Sequence, residues 1–398
     1  MNALTSSKAK TIVILSLLAA LLPPGAYGAE EGSHPSPRFG HRMVYDPVNE
    51  RTLLFGGAVY EDRYTFFDDL WSYDYASNTW TEIDCSQGPS GRFNFMMVYL
   101  TGHNQLFLFG GFSAADRISD TWVYDITDNL WTNVQTDNSP SPRSDAAMVY
   151  DQRNDVVILS DGYCNDNSHP RDTWVFDFDS IDWTRMDPED SPLPQYGHHM
   201  VYDSQNGRVV MYGGHWSTQD PRSHGYSDGV WVYDYPTDSW TKVDEATSLP
   251  SRYWHQMAYD GDRGQLIVFS GSMGDDSRSD DTWLLNTDEL TWERLDSEVS
   301  PEGRANSAMT YDSAHQKVVL FGGLKDFGEP PLGDLWILDP VEGTWEEKGA
   351  AVIEGDVEEE QQEEETAGSG IPGFPDVSLV LGLLISIVFL SLVTHRRR

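Results

Sequence analysis

Two tryptophans nine residues apart recur along the chain: Trp71 and Trp80, Trp122 and Trp131, Trp174 and Trp183, Trp231 and Trp240, Trp283 and Trp292, Trp336 and Trp345. The six pairs hold all but Trp216 and Trp254 of the 14 tryptophans, so the spacing is a repeat and not a by-product of composition. Around each pair one order of residues returns at a period of about 52. An Arg leads into a strand of the Met-Val-Tyr-Asp type. An apolar run then closes on Gly-Gly or a near variant. A strand of the Asp-x-Trp-x-Tyr-Asp type follows, and then the second Trp. A unit this short cannot bury its own apolar faces. Copies stacked around an axis can, which makes the period the mark of a β-propeller.

The first copy shows four short strands. Met43-Val44-Tyr45 precedes the turn at Asp46-Pro47, and Thr52-Leu53-Leu54-Phe55 ends on Gly56-Gly57. Leu70-Trp71-Ser72-Tyr73 is the third strand and Thr79-Trp80-Thr81-Glu82-Ile83 the fourth. The inner strands are apolar on both faces, as sandwiched sheets require, while the last alternates Trp with Thr and Glu like a wetted rim. Tyr45, Tyr99, Tyr150, Tyr202, Tyr259 and Tyr311 each lie twelve residues before Gly57, Gly111, Gly162, Gly214, Gly271 and Gly323. Arg38, Arg92, Arg143, Arg252 and Arg304 lie seven before those tyrosines, and Gln195 takes the place in the fourth copy. The first glycine of the pair is replaced by Asp161 and Ser270. The second is kept in every copy, which points to a positive φ or close backbone approach there.

The double glycine, the aromatic-Asp after the third strand and the Trp opening the fourth resemble the kelch repeat over residues 36–348. The resemblance implies an all-β, six-bladed propeller with four antiparallel strands per blade and a central channel. The blades fall near 36–83, 88–134, 139–186, 191–243, 248–295 and 300–348. Kelch rings often close by lending a strand from the opposite terminus. Here every copy carries its own four, and either mode of closure stays open.

The chain ends suggest an address. Residues 1–28 read as a signal peptide: Lys8 and Lys10, an apolar stretch from Thr11 to Leu22, then Ala26-Tyr27-Gly28 before a cut. Residues 354–371 form an acidic, unstructured stalk. Val377 to Val393 is an apolar helix just long enough to span a bilayer, and Arg396-Arg397-Arg398 follow. By the positive-inside tendency the arginines stay in the cytoplasm and the propeller faces outward. Pro372-Gly373-Phe374, the apolar segment and the arginines resemble the archaeal PGF-type sorting signal over residues 372–398. In proteins with that signal a sortase replaces the tail by a lipid.

The net charge of −38 disfavours nucleic acid and anionic lipid as partners of the propeller. Cys85 and Cys164 fall in loops of the same face. They can form a disulfide or stay as thiols.

The repeated arginines read as structural braces, because a residue held by the repeat serves the fold first. The residues just after them differ between copies and should line the channel mouth: His41, Asn94, Phe95, Asp145, His198, His255 and Asn306, with Trp254. The longest loop adds His215 and Trp216, so that Trp216 and Trp254 would share one face. Exposed aromatics beside His, Asn and Asp suit a sugar ring or a peptide anchor. No metal-ligand spacing accompanies the histidines, the Asp275–Asp281 loop lacks the pattern of a Ca²⁺ loop, and no cofactor is implied. The leading expectation is a membrane-anchored surface module binding an envelope glycan or an extracellular protein. The alternatives are an enzyme, since kelch propellers include an oxidase and a sugar epimerase, and a structural envelope component.

Overall fold

A computed structural model of the chain describes residues 34–85, 87–217, 223–243 and 249–349. The leader 1–28, the stalk 354–371 and the anchor 372–398 lie outside the described residues. Among the described residues no helix is long and apolar enough to cross a membrane.

The described residues form six four-stranded antiparallel sheets, each a meander from one contiguous stretch of chain. Sheet one uses Arg42–Asp46, Arg51–Phe55, Leu70–Asp74 and Thr79–Ile83. The innermost strands of sheets two to six are Met96–Leu100, Ala147–Asp151, His199–Asp203, Gln256–Asp260 and Ala308–Asp312. Each lies beside that of the next sheet, and the sixth lies beside the first. This is a β-propeller.

The tryptophan spacing is a hairpin register. Tyr73, two residues after Trp71, pairs directly with Trp80 on the next strand, their rings 5.0 Å apart. Tyr233 and Trp240 repeat the pairing in sheet four at 4.9 Å. The second Trp also packs against the preceding sheet: Trp131 on Phe55 at 5.2 Å, Trp183 on Phe109 at 5.2 Å, Trp292 on Tyr212 at 5.4 Å and Trp345 on Phe269 at 5.1 Å. Trp240 reaches its preceding sheet by a hydrogen bond, donating Nε1–H to Thr173 Oγ1 at 3.1 Å. Trp80 meets Phe321 of sheet six at 5.4 Å, so the same contact joins the last sheet to the first. Among the described residues no strand is exchanged between them.

The repeated arginines are clamps. In Arg38, Arg92, Arg143, Arg252 and Arg304 the guanidinium is buried and paired through both Nη atoms with one carboxylate: Asp69, Asp120, Asp172, Asp281 and Asp334. Each of these aspartates also accepts the indole N–H of the Trp two residues on, as Asp69 does from Trp71 at 2.7 Å. The Arg Nη1 further donates to the carbonyl of the first residue of the glycine pair. Bidentate pairing satisfies a charge that could not otherwise leave water. In sheet four both partners are gone. Gln195 replaces the Arg, Gly229 stands two residues before Trp231, and Gln195 Nε2 contacts Met211 Sδ at 3.1 Å.

The second glycine links neighbours. All six have φ between 100° and 113°. Their N–H groups donate to the carbonyl of the Arg or Gln of the following repeat, from Gly57 to Arg92 at 2.8 Å through to Gly323 to Arg38 at 2.9 Å. A Cβ on Gly111 would sit 2.6 Å from that of Phe95.

Removing one partner of the most buried clamp leaves a charge unpaired. Arg143→Met is expected to cost about 3–5 kcal/mol in urea unfolding. The pair Arg143→Gln/Asp172→Gly, which copies sheet four, should cost clearly less. Equal costs would show that the charge pairing is not what matters.

Candidate functional site

The second residue after each repeat Arg or Gln closes a ring of backbone hydrogen bonds. Asn94 N donates to Gly40 O, Asp145 to Asn94, Gly197 to Asp145, Trp254 to Gly197, Asn306 to Trp254 and Gly40 to Asn306, at 2.7–3.2 Å. Every member is left-handed, with φ between 50° and 66°. That turn aims each N–H at one neighbour and each C=O at the other, so groups lining the axis are satisfied without water. Gly, Asn and Asp adopt it readily, whereas Trp254 does so at a strain of about 1–3 kcal/mol.

Contacts across the ring hold Trp254 in place. Its Nε1 donates to Asp145 Oδ1 at 2.9 Å, two sheets away. Its ring lies over Gly197, where a Cβ would come within 2.8 Å of it. Asp145 also accepts from Asn94 Nδ2 at 2.6 Å and Ser144 Oγ at 2.6 Å, and Ser144 in turn accepts from Arg117 Nε at 3.0 Å. The indole and this carboxylate network cover one end of the channel.

Around them lies an aromatic basin that sequence reasoning missed. The residue directly after the repeat Arg or Gln is Phe39, Phe93, Tyr196 and Tyr253 in four copies. In two of them it pairs across a short ladder with another ring: Phe93 with Phe112 and Tyr196 with His215. On one side Tyr64 stacks on Phe93 at 5.3 Å and touches Tyr60 at 4.8 Å. Tyr60 is 50% and Tyr64 36% exposed. On the other, Trp254 packs on Tyr253 at 4.4 Å and edge-on to Phe327 at 5.8 Å. Arg117 lies over Tyr163 at 4.2 Å and Arg278 over Phe327 at 5.1 Å. The signal was present as an in-register column of aromatics. It runs beside the Arg column, which reads as framework and masks it.

The predicted site residues divide. Asn94, Asp145, Trp254 and Asn306 meet in the ring. Phe95 is core, with its ring 5.6 Å from Phe55. His41, His198 and His255 are buried beneath the ring, His41 edge-on to Phe321 and His255 to Tyr212. His215 joins the basin near Tyr196 and Tyr226. Trp216, next along the same strand, takes the opposite side. It lies over Gly225 of its own hairpin and lines a side cavity of about 180 Å³ with Leu193, Trp231 and Lys242. The loop's period-two alternation therefore separates Trp216 from Trp254. Cys85 and Cys164 are unbonded, and Cys164 Sγ lies 3.2 Å from Ser141 Oγ. Among the described residues no three His, Cys, Asp or Glu are grouped to hold a metal.

Burial pushes His198 down to about 3. It drives His41 and His255 well below their usual 6.5, helped by Arg38 at His41 and by His199 at His255. Unfolded, these imidazoles titrate near 6.5, so the unfolded chain binds more protons below that pH and the fold loses stability as pH falls. His198→Phe, with the residue of the second copy, should lose less of its urea midpoint between about pH 7 and 5 than wild type. An identical loss would show that His198 is not buried neutral.

The KLHDC2/KLHL20/DRC7 Kelch-repeats domain matches residues 29–214 and 206–367. The chain is 26% identical over 345 residues to the F-box/kelch-repeat protein At1g51550 of Arabidopsis thaliana, covering 75% of this chain and 68% of that one. It is 24% identical to the dynein alpha chain, flagellar outer arm, of Chlamydomonas reinhardtii, over 77% of this chain and 7% of that one. It is 25% identical to multiple epidermal growth factor-like domains protein 8 of Rattus norvegicus, over 78% of this chain and 11% of that one.

Proposed function

The chain belongs to the kelch-repeat family, and on that premise we propose that it is a binding module, a closed six-bladed ring that holds a protein partner on its aromatic basin. Kelch repeats generally mediate protein–protein interaction. The observation that carries the reading is the basin itself: exposed Tyr60 and Tyr64 on one side, exposed Phe327 beside Trp254 on the other, with Arg117 and Arg278 over rings. Aromatics and arginines at the centre of a surface are the usual anchors of a protein interface. Arg117, with Asp116 only at 4.0 Å, favours a segment with an acidic group beside an apolar anchor, while the Arg278 side chain is buried against Phe327 with Asp326 at 4.0 Å. A glycan is the second reading, supported by the exposed Tyr60–Tyr64 pair as a stacking platform.

Peptide display and a glycan array, both probed with the full chain, separate the two. Selected peptides should bind at least about tenfold more weakly to Tyr64→Ala and to Trp254→Asn, which keeps the left-handed turn. Leu130→Ala, exposed on another part of the surface, should bind normally. Glycan binding lost in the same variants would replace the peptide reading, and no binding to either would overturn the module.

The segments at 1–28 and 372–398 support export and membrane anchoring, with the ring outside the cell and the arginines within before any processing. Protease treatment of intact cells should then release the ring. Protection until lysis would place it inside.

A further inference from the structure

Beneath the ring of backbone bonds lies a second space, the channel, of about 450 Å³ and lined by the innermost strands of all six sheets. The ring and the Trp254 indole cover its near end. At its far end Thr101, Gln152, Ser204, Asp262 and Ser313 form a polar rim, of which Asp262, exposed to solvent, is the one carboxylate. Its volume falls within the range of small-molecule sites, about 300–1,000 Å³.

The first residue of each innermost strand forms the layer next to the ring: Arg42, Met96, Ala147, His199, Gln256 and Ala308. Six copies place unlike side chains there. One residue later the repeat is uniform, with Met43, Met97, Met148, Met200, Met257 and Met309 all buried. The methionines line the same channel, so its constant part is thioether and its variable part is the layer next to the ring.

Arg42 is the anomaly in that layer. The five clamp arginines each hold a carboxylate through two bonds. Arg42, half-buried, forms no ion pair among the described residues, and its Nη1 has only a long contact of 3.4 Å to the carbonyl of its neighbour His41. The surface it keeps faces the channel. Burial lowers its guanidinium to about 10, with Asp145 acting from above in the opposite sense. Asp145 does not pair with it; its oxygens hold Asn94, Ser144 and Trp254. A cation with no partner in a confined space is costly, and the cost is offset when an anion meets it.

Sheets one and four face each other across a ring of six, so His199 stands opposite Arg42, with Gln256 beside it. Burial, and then the Arg42 charge, bring His199 down to about 3. At neutral pH it is an uncharged hydrogen-bond donor. The groups facing the layer thus sum to one positive charge, and Asp145 above opposes a second negative charge on a ligand. Below the layer the walls turn mostly apolar through Val44, Val98, Val149, Val201 and Ala258 with the six methionines, and Thr310 completes the level.

We propose that the channel binds a small aliphatic monocarboxylate. Its carboxylate pairs with Arg42 and accepts hydrogen bonds from His199 and Gln256. Its apolar body lies against the valine walls, and it enters from the face opposite Trp254.

The full chain is titrated calorimetrically and melted with sodium hexanoate, with hexanol as the uncharged analogue and inorganic phosphate as the polyanion. Hexanoate should bind one per chain and raise Tm, while hexanol and phosphate do so far less. Arg42→Gln should weaken hexanoate at least about tenfold, the worth of one charge-assisted pair. Ala147→Leu, which fills the layer without touching the charge, should abolish binding. Leu130→Ala, exposed on the outer surface and outside the channel lining, should leave it intact. No response of the wild type to hexanoate overturns the proposal. So does equal binding by Arg42→Gln, or a phosphate response as large as that to hexanoate. If Arg42→Gln does not fold, Ala147→Leu decides, and retained binding by it overturns the site.

Discussion

A guanidinium shut away from water must find a carboxylate, and the organisation of this propeller follows from how that need is met. In five of the six repeats the Arg at the entry is tied to an Asp near the third strand, and the same Asp holds the first Trp indole. One clamp therefore fixes the entering chain against the middle of its own sheet. The carbonyl of that Arg then accepts the N–H of the preceding sheet's second glycine, so the clamp also sets the junction between sheets. Two residues on, the chain turns left-handed and enters the ring of bonds at the mouth. Sheet four tests the logic within one molecule. It lacks Arg and Asp together, so no half-clamp leaves a buried charge to its own desolvation cost.

Such a frame leaves few places where chemistry can vary, and they are consecutive. The residue after the Arg lines the basin, the next builds the ring, the third packs beneath it, and the fourth faces the channel. Phe93, Asn94, Phe95 and Met96 in one copy correspond to Tyr253, Trp254, His255 and Gln256 in another. Four adjacent residues thus serve an outer surface, a backbone closure, a core and an inner cavity. The left-handed turn separates the outer pair from the inner pair. The partner surface and the channel are consequently independent, divided by the ring and by the Trp254–Asp145 bond.

The strained Trp254 joins these themes. A bulky residue in a conformation suited to Gly or Asn persists only where its surroundings insist on it. Here they are Asp145, Gly197 and the stacked Tyr253. The same indole that covers the channel is exposed to whatever occupies the basin.

The repeat, the strands and the hairpin register were legible from sequence because each depends on local spacing. Nine residues between tryptophans is the arithmetic of two strands and a turn, and a glycine kept in every copy reports its own backbone. The bracing role of the arginines was legible for the same reason, though not their partners, which lie about thirty residues on. What only the tertiary structure decided lies around the axis, where residues from all six copies meet at sequence separations that no pattern records. Asp145 and Trp254, 109 residues apart, share a hydrogen bond. Trp216 and Trp254, which looked like a pair, are parted by the alternation of a two-stranded hairpin. Arg42, indistinguishable in sequence from any other Arg, is set apart by lining the channel without an ion pair among the described residues, and only the closing of the ring determines which groups come within its reach.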